Sequence, residues 1–532
     1  MVNTFNLTIL LGETGCPRGC FSTAPSRFVS MTLMDKAKSL LTTSLVGQPP
    51  TQVQMNPSAR KTPLPFHSSH LLSFSTDSVV KLEIAHGNGD LIKVLDILGI
   101  GGPFKAISPW ELEDETGRHL INAGGYAALP FGEMYPPLVA FIQNYLQTNQ
   151  TVSLPQQGAS QWRAALETNL VALLARVAPS HADSQVFFSN SGAEAVEAAI
   201  KFAKAARPKA RYILNFSRAY HGKTIGALSL TPNEEYQNIF RPLMPGVYTL
   251  PYGNSQALHD AIKKLKAKNI AAIIVEPVQG EGGVVTPPSD FLPTIHSLCK
   301  EHGIIAVADE IQTGLGRTGH YFASVAMGLE PDIITLAKPL GGGMVAIGAT
   351  IARKTIYKKM LGGFESKRHS NTFGGNSLAM AVGLKSLELI VEENLAERAA
   401  EFGQRGLEKL QRIQQKYPGY IKTVRSSGML FAMQVRHVLK PALLLGQTEL
   451  TNQLGTVLAM RAMHLHGVHV CFTTNQSQII RLTPALNMPE AIFDAMFERV
   501  ELAARHHKQA WKMLPKMPMD RLIKLVKLAV GK

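Results

Sequence analysis

Three short apolar segments, each ending in an ionisable residue, constrain the fold of this chain more than any other feature. They occupy residues 271–276, 303–309 and 332–338. Each has the length and the apolar, β-branched composition of a buried strand, and alternation with helical-period segments indicates βαβ units and a largely parallel sheet. Because parallel strands end at the same edge of a sheet, we expect Glu276, Asp309 and Lys338 to meet at one site.

Lys338 has the sequence surroundings of a reactive lysine. An apolar strand precedes it and the glycine-rich run Pro339-Leu-Gly-Gly-Gly343 follows it, so we expect its amine to be shielded from water. Burial lowers the pKa of a lysine and makes its neutral amine available for a Schiff base with a carbonyl compound. Asp309, on a neighbouring strand end, could keep a pyridine nitrogen protonated.

A third element of this site is Ser189-Asn-Ser-Gly192, where a strand breaks and an alanine-rich helix opens. The free N–H groups and the positive dipole end of such a helix favour phosphate binding. Taken alone, the turn is explained by an ordinary N-cap, and Lys338 with Asp309 by a structural ion pair. The combination favours pyridoxal 5'-phosphate as the cofactor.

The run Gly314-Leu-Gly-Arg-Thr-Gly319 matches the glycine spacing of a dinucleotide-binding turn. Such a turn directly follows a strand, opens an apolar helix and is followed about 20 residues later by an acidic ribose partner. Here residues 309–313 separate the run from its strand, and glycine and proline interrupt the next segment. We therefore treat an NAD-dependent oxidoreductase as the least favoured interpretation.

The composition is that of a globular protein with several domains: of 532 residues, 45% are hydrophobic and 17% charged. The net charge of +15 lies largely at the two ends, with six basic against three acidic residues in 1–80 and eight against two in 501–532. We therefore expect no nucleic-acid partner. Four cysteines make no disulfide framework, and the pair Cys16 and Cys20 lacks further ligands, so we expect no metal site.

The pattern along the chain predicts an extension followed by two domains and a tail. No apolar run reaches the length of a membrane span, and we expect a cytoplasmic protein, with organellar targeting by the extension left open. One long helix is predicted from about 380 to 415. The basic amphipathic tail fits either docking on the protein's own surface, which we favour, or a membrane surface. The predicted parts are the extension 1–80, an N-terminal segment 81–150 contributing to the small domain and the active site, a large cofactor-binding domain 151–385, a small domain 386–510 and the tail 511–532.

Over roughly residues 100 to 505 the sequence closely resembles the class III pyridoxal-phosphate aminotransferases of fold type I, in the ornithine, acetylornithine and polyamine branch. The order and spacing of seven motifs carry the resemblance: Ser189-Asn-Ser-Gly-Ala-Glu-Ala195, Tyr220-His-Gly222, Glu276-Pro-Val-Gln-Gly-Glu281, Asp309-Glu-Ile-Gln-Thr-Gly314, Leu336-Ala-Lys338, Thr372-Phe-Gly-Gly-Asn376 and Ile480-Arg-Leu-Thr-Pro484. It implies an α/β fold with a mainly parallel seven-stranded sheet in the large domain and a smaller α/β domain.

The resemblance also implies a role toward the cofactor for each matching residue. Lys338 would carry the cofactor as a Schiff base and move the substrate proton, while Asp309 would pair with the pyridine nitrogen. Tyr220 would stack on the ring, and Gln312 would bond its 3'-oxygen. The other cofactor-binding residues implied are Ser191, Gly192 and Ala193 at the phosphate, Thr372 reaching across from the partner subunit of a homodimer, His221 and Glu276.

The same resemblance implies how two unlike substrates share one pocket. Arg481 would grip the α-carboxylate of a 2-oxo acid such as 2-oxoglutarate, since a guanidinium suits bidentate carboxylate binding. Glu281 would neutralise Arg481 while an amine is bound and release it for the oxo acid. Tyr126 matches a substrate-contacting tyrosine. The donor would be a terminal amine of the ornithine, acetylornithine, lysine, putrescine or 4-aminobutyrate type.

Two motifs depart from the family pattern and leave the donor open. Gly132-Glu-Met-Tyr-Pro136 stands where relatives have Gly-His-x-His/Pro-Pro near the substrate entrance, and Gly374-Gly-Asn-Ser377 replaces Gly-Gly-Asn-Pro. The alternative function is an amino-acid racemase or epimerase on the same fold, in which Lys338 returns the proton to the other face of the α-carbon.

Overall fold

The computed structural model describes residues 76–97, 100–148, 153–154, 158–436, 448–473, 475–476 and 478–506. The chain divides into the units Met1–Val79 and Val80–Lys532, and the fold below is that of the second. Most of the predicted extension, residues 1–75, and all of the predicted tail, residues 511–532, lie outside the described residues. In the described part of the chain, no helix is both long enough and apolar enough to cross a bilayer.

The strands are numbered in chain order. They are β1 Lys105–Ser108, β2 Glu111–Glu113, β3 His119–Asn122, β4 Gln185–Ser189, β5 Tyr212–Phe216, β6 Val247–Leu250, β7 Ile270–Val275, β8 Ile305–Asp309, β9 Ile333–Leu336, β10 Gly348–Ala352, β11 Ile421–Ser427, β12 Leu430–Val435, β13 Val468–His469, β14 Cys471–Phe472 and β15 Ile479–Leu482.

The α-helices alternate with these strands. They are Thr76–His86, Gly89–Ile97, Pro136–Gln147, Gln161–Ala175, Gly192–Ala206, Ile225–Ser229, Glu234–Gln237, Ser255–Leu265, Phe291–His302, Ala323–Ala326, Lys354–Leu361, Ser377–Glu392, Leu395–Lys416, Thr448–Leu465 and Glu490–Arg505. Short 3-10 turns occupy Pro179–His181, Asn238–Phe240, Ala267–Asn269, Lys338–Gly341 and Gly363–Glu365.

The central sheet has seven strands in the order β4-β10-β9-β8-β7-β5-β6. Strands β9, β8, β7, β5 and β6 run parallel to one another, whereas β10 is antiparallel to both β4 and β9. Every residue of β7 is buried, as expected for a strand covered by helices on both faces. The predicted α/β fold with a mainly parallel seven-stranded sheet is therefore confirmed.

Two four-stranded sheets accompany the central one. The first joins β1, β2 and β3 to β13 near the end of the chain, and the second has the order β11-β12-β15-β14. An isolated bridge between Gly124 and Thr483 connects the loop after β3 to the chain after β15. This bridge matters for function because it brings the Tyr126 loop and the Arg481 strand together.

The single helix predicted from about 380 to 415 is wrong: two helices, Ser377–Glu392 and Leu395–Lys416, occupy the segment. Asn394 between them has a left-handed backbone with φ 51° and ψ 43°. Asparagine tolerates this conformation better than most residues, so the chain can turn there. Apolar periodicity continues through the break, which is why the pattern predicts one helix.

Candidate active site

A cavity of about 550 Å³ lies at the carboxyl edge of the central sheet. The loops that follow β4, β5, β7, β8 and β9 supply its wall, as parallel sheets generally arrange their sites. Most residues that the sequence predicts for the site line this cavity: Ser191, Gly192, Ala193, Tyr220, His221, Glu276, Glu281, Asp309, Gln312 and Lys338.

Three predicted residues lie outside the cavity wall. Arg481 and Tyr126 stand directly behind it, in contact with Glu281 and Gln312. Thr372 is exposed and does not line the cavity of its own chain. Its expected route to a cofactor through a partner subunit stays a prediction.

The helix Gly192–Ala206 begins at the cavity with a capping arrangement. The Ser191 hydroxyl accepts a hydrogen bond from the Glu194 N–H at 3.2 Å, and the Glu194 carboxylate accepts one from the Asn190 N–H at 2.6 Å. A Cβ on Gly192 would lie 2.9 Å from the Ile311 side chain. The missing side chain at Gly192 therefore lets the helix start pack closely against the loop after β8. The first N–H groups of the helix, which have no intrahelical acceptor, are thereby presented at the cavity.

Asp309 is buried and held from three directions. Its Oδ2 lies 2.6 Å from His221 Nδ1, and its Oδ1 accepts hydrogen bonds from the Thr335 hydroxyl at 3.1 Å and the Ile311 N–H at 3.2 Å. Burial alone would lower the pKa of His221. The hydrogen bond and the negative charge of Asp309 outweigh this effect, so that the pKa of the imidazole is raised. The carboxyl group is therefore fixed in orientation beside the His221 imidazole.

Glu276 is a second buried carboxyl group beside Asp309. The backbone N–H groups of Tyr220 and Gly280 donate to it at 2.8 and 3.3 Å. Burial raises the pKa of Glu276 to about 7, with His221 and the two N–H groups acting in the opposite direction and Asp309 reinforcing the shift. These hydrogen bonds tie the loops after β5 and β7 together, which shapes this side of the cavity.

Lys338 follows β9 by two residues and begins the 3-10 turn Lys338–Gly341. Withdrawal from water lowers the pKa of its amine, and the positive charge of Arg481 acts in the same direction, while Glu281, Asp309 and Glu276 oppose it. A lysine with a lowered pKa has a larger neutral fraction and is the better nucleophile and base.

Arg481 is fully buried on β15 and is neutralised by Glu281, with Nη2 and Oε1 2.6 Å apart. Its Nη1 donates to Gln312 Oε1 at 3.2 Å, and the Tyr126 ring lies 5.6 Å from its guanidinium carbon. A Cβ on Gly280 would fall 1.3 Å from Gln312 Oε1, so only glycine permits this packing. The cation is thus preorganised, and the carboxylate that neutralises it lines the cavity.

The groups around this cavity fit pyridoxal 5'-phosphate. A helix start suits its phosphate, a buried carboxylate suits its pyridine nitrogen, and an amine of lowered pKa suits its aldehyde. The fit rests on the free N–H groups at Gly192, on the buried and oriented Asp309 and on Lys338, all at one cavity. The fold and the site together define a pyridoxal-phosphate-dependent enzyme.

The comparisons with known proteins agree. A sequence model of the class III aminotransferases matches residues 109–504, and the chain belongs to this family. It is similar to the ornithine aminotransferase of Toxoplasma gondii at 27% identity and a TM-score of 0.66, over 76% of this chain and 91% of that one. An amine transaminase from an uncultivated Pseudomonas species, solved with PLP bound, matches at 27% identity and a TM-score of 0.67, over 76% and 94% of the two chains. The (S)-enantioselective omega-transaminase of Thermomicrobium roseum matches at 27% and 0.71, over 82% and 100%. The protein is thus a PLP-dependent aminotransferase, which transfers an amino group from a donor to an oxo acid.

The run Gly314–Gly319 has a structural explanation instead of a dinucleotide-binding one. It forms successive turns and opens no helix. The buried Arg317 within it donates hydrogen bonds to the carbonyl oxygens of Met429 and Pro484, at 3.1 and 2.6 Å. Its glycines therefore belong to a turn that is anchored to the second small sheet, at the β11–β12 connection and just after β15.

Sequence reasoning missed two residues that support the site. Thr335, on β9, orients Asp309, and its signal was a lone hydroxyl inside the apolar run 333–336. Asn371 donates to the Phe188 carbonyl oxygen at 3.1 Å and so fixes the loop of Thr372 to β4. No sequence pattern distinguishes this asparagine from an ordinary loop residue.

Proposed function

We propose that this aminotransferase moves the terminal amino group of an amine of the ornithine, acetylornithine, lysine, putrescine or 4-aminobutyrate type to a 2-oxo acid such as 2-oxoglutarate. The observation that carries the proposal is the neutralised Arg481 at 2.6 Å from Glu281, beside the cavity that contains Lys338. A pocket that always bound an α-carboxylate would need this arginine free.

The pair lets one pocket accept two kinds of substrate in turn. With Glu281 paired to Arg481, the wall near the reacting carbon carries no net charge and accepts an amine whose own carboxylate is absent or distant. When Glu281 moves away, the exposed guanidinium offers two parallel donors to an α-carboxylate. The buried setting strengthens both contacts.

Each remaining residue has a part in holding the cofactor or moving a proton. The Ser191 to Ala193 helix start would bind the phosphate, Asp309 would keep the pyridine nitrogen protonated, Gln312 would meet the 3'-oxygen, and Tyr220 would cover the ring. When bound, the cofactor supplies an electron-withdrawing ring that stabilises negative charge on the donor carbon. The Nζ of Lys338 would accept the proton from that carbon and deliver it to a carbon of the cofactor, so that the donor leaves as an oxo compound and its amino group stays behind for the 2-oxo acid.

The proposed assembly is a homodimer in which the active sites share residues. Support comes from the exposed position of Thr372 on a loop that Asn371 holds in place, away from the cavity of its own chain. Thr372 would bind the phosphate of the partner subunit. Size measurement in solution tests the assembly, and a monomer with full activity would contradict it.

The relatives support a terminal-amine donor. Both an ornithine aminotransferase and an (S)-enantioselective omega-transaminase share the fold at 27% identity. The test is a donor screen of the five proposed donors with 2-oxoglutarate and with pyruvate, with L-alanine as the α-amino control in the 2-oxoglutarate reactions. We expect turnover with at least one terminal amine at more than ten times the L-alanine rate. Turnover of α-amino groups alone would contradict the proposal.

A further inference from the structure

A second cavity, of about 390 Å³, lies beside the first and is separate from every residue assigned above. Leu129 lines both cavities. The second cavity is otherwise formed by the first small sheet and the loop that carries Tyr126, and its polar lining includes Glu133, Asn122 and His469. Glu133 belongs to the segment Gly132–Pro136, whose sequence departs from the family pattern.

The Glu133 carboxyl group is half-buried. Asn122 Nδ2 donates to its Oε1 at 3.3 Å, and no basic side chain in the described part of the chain forms an ion pair with it. Burial raises the pKa of Glu133, and the Asn122 N–H acts against that shift. A cationic ligand would compensate for the water that this carboxylate has lost.

The rest of the lining also favours a cation with several N–H donors. Burial lowers the pKa of His469 to about 4, so its ring is neutral near pH 7 and one ring nitrogen is an acceptor. The Phe104 ring, 4.9 Å from the imidazole, adds an aromatic face. Among the described residues, no group of three or more His, Cys, Asp or Glu could hold a metal ion. These features suit a primary ammonium group, which carries three donors.

We propose that this second cavity binds a primary ammonium group, with Glu133 as its charged acceptor. The inference deepens the proposed function and rests on it, because a diamine donor would place one amine at Lys338 and present the other to Glu133. The ammonium group belongs either to the distal end of that donor or to a separate amine molecule. In the first case Glu133 makes the enzyme prefer donors with two amines. In the second case it makes the activity depend on the concentration of a separate amine.

The experiment compares 1,5-diaminopentane with 1-aminopentane, which has the same chain and one ammonium group. Steady-state constants are measured for the holoenzyme, for Glu133→Gln and for Glu115→Gln, a control at an exposed glutamate. If the donor's own distal end binds, Glu133→Gln raises KM for the diamine by about tenfold, as expected for a lost charge-assisted hydrogen bond, with kcat and the monoamine constants unchanged. Glu115→Gln leaves all constants unchanged.

Ethylammonium chloride separates the two sources, because it has one ammonium group and no second amine. If the distal end of the donor fills the cavity, ethylammonium inhibits the reaction of the diamine and leaves that of the monoamine unchanged. It changes the monoamine kinetics of the wild type, and not of Glu133→Gln, if a separate amine fills it. Equal loss with both substrates, or no change in KM and no ethylammonium effect, would overturn the inference.

If neither of these two amines is turned over, the donor screen still decides the terminal-amine function, and the ammonium site is judged by binding alone. The measurement is the thermal unfolding of the holoenzyme in ethylammonium chloride against sodium chloride at the same ionic strength. A rise in Tm that Glu133→Gln abolishes supports the ammonium site. An equal rise in both proteins, or none in either, overturns it.

Discussion

The most informative perturbation of the site is Glu281→Gln, which removes a charge and keeps the size of the side chain. Arg481 is fully buried and lies 2.6 Å from the Glu281 carboxylate. Breaking a buried ion pair by removing one partner costs about 3–5 kcal/mol. Arg481 keeps its hydrogen bond to Gln312 and gains the amide oxygen of the new glutamine, so we expect the lower end, about 3 kcal/mol.

A substrate carboxylate can recover this free energy, whereas an amine without a nearby carboxylate cannot. About 3 kcal/mol corresponds to a factor of roughly 100 in a binding constant. We therefore expect Glu281→Gln to tighten the binding of 2-oxoglutarate by a factor of about 10 to 100 and to weaken the reaction with 1,5-diaminopentane. The two substrates should respond in opposite directions.

The assay follows the cofactor absorbance of the holoenzyme in two separate half-reactions, first with the amine alone and then with the oxo acid alone. Glu115→Gln is the matched control at an exposed site and should change neither half-reaction. A parallel loss in both half-reactions would show that Glu281 is merely structural. Unchanged binding of 2-oxoglutarate would refute the idea that Glu281 competes with it for Arg481.

Three further outcomes follow from the geometry. Thr335→Val removes a hydroxyl that donates to Asp309 at 3.1 Å, so equilibrium titration should show about tenfold weaker cofactor binding, and an unchanged affinity would contradict this role. The pKa of Glu276 is about 7 in the folded protein against an ordinary 4.5, so its contribution to stability is present below about pH 4.5 and is lost as the pH rises to 7. Denaturant unfolding of the cofactor-free protein should show that Glu276→Gln abolishes a decrease of about 3 kcal/mol between pH 4.5 and 8, and an equal pH dependence in both proteins would count against it. Gly280→Ala places a Cβ on Gln312, so KM for 2-oxoglutarate should rise at least tenfold with little change in Tm, whereas an unchanged KM would mean that the loop yields easily.

The sequence predicts the parts of the fold and site that depend on strand ends. The apolar runs before Glu276, Asp309 and Lys338 are long enough to be identified as strands, and parallel strands bring their ends together by geometry alone. The same holds for the helix start at Gly192, because a glycine and capping residues interrupt an apolar strand there. Local pattern and global topology agree at these positions.

Other contacts depend on residues that are far apart in the chain and were not predicted. The hydrogen bond between Arg481 and Gln312 joins β15 to the loop after β8, which belongs to a different sheet. Thr335 acts on Asp309 only because β8 and β9 are neighbours in a known register. The break at Asn394 arises from one left-handed residue inside a continuous apolar period. Such features need the register and the backbone angles, which residue spacing does not contain.

A single-turnover experiment tests the central claim most directly. The holoenzyme is mixed with a terminal diamine in the absence of any oxo acid, and the products are counted per active site. We expect one aldehyde per site, followed by one glutamate per site when 2-oxoglutarate is added, and neither product with Lys338→Ala. Continuous turnover without an oxo acid, or formation of D-amino acid from an L-amino acid under that condition, would contradict it.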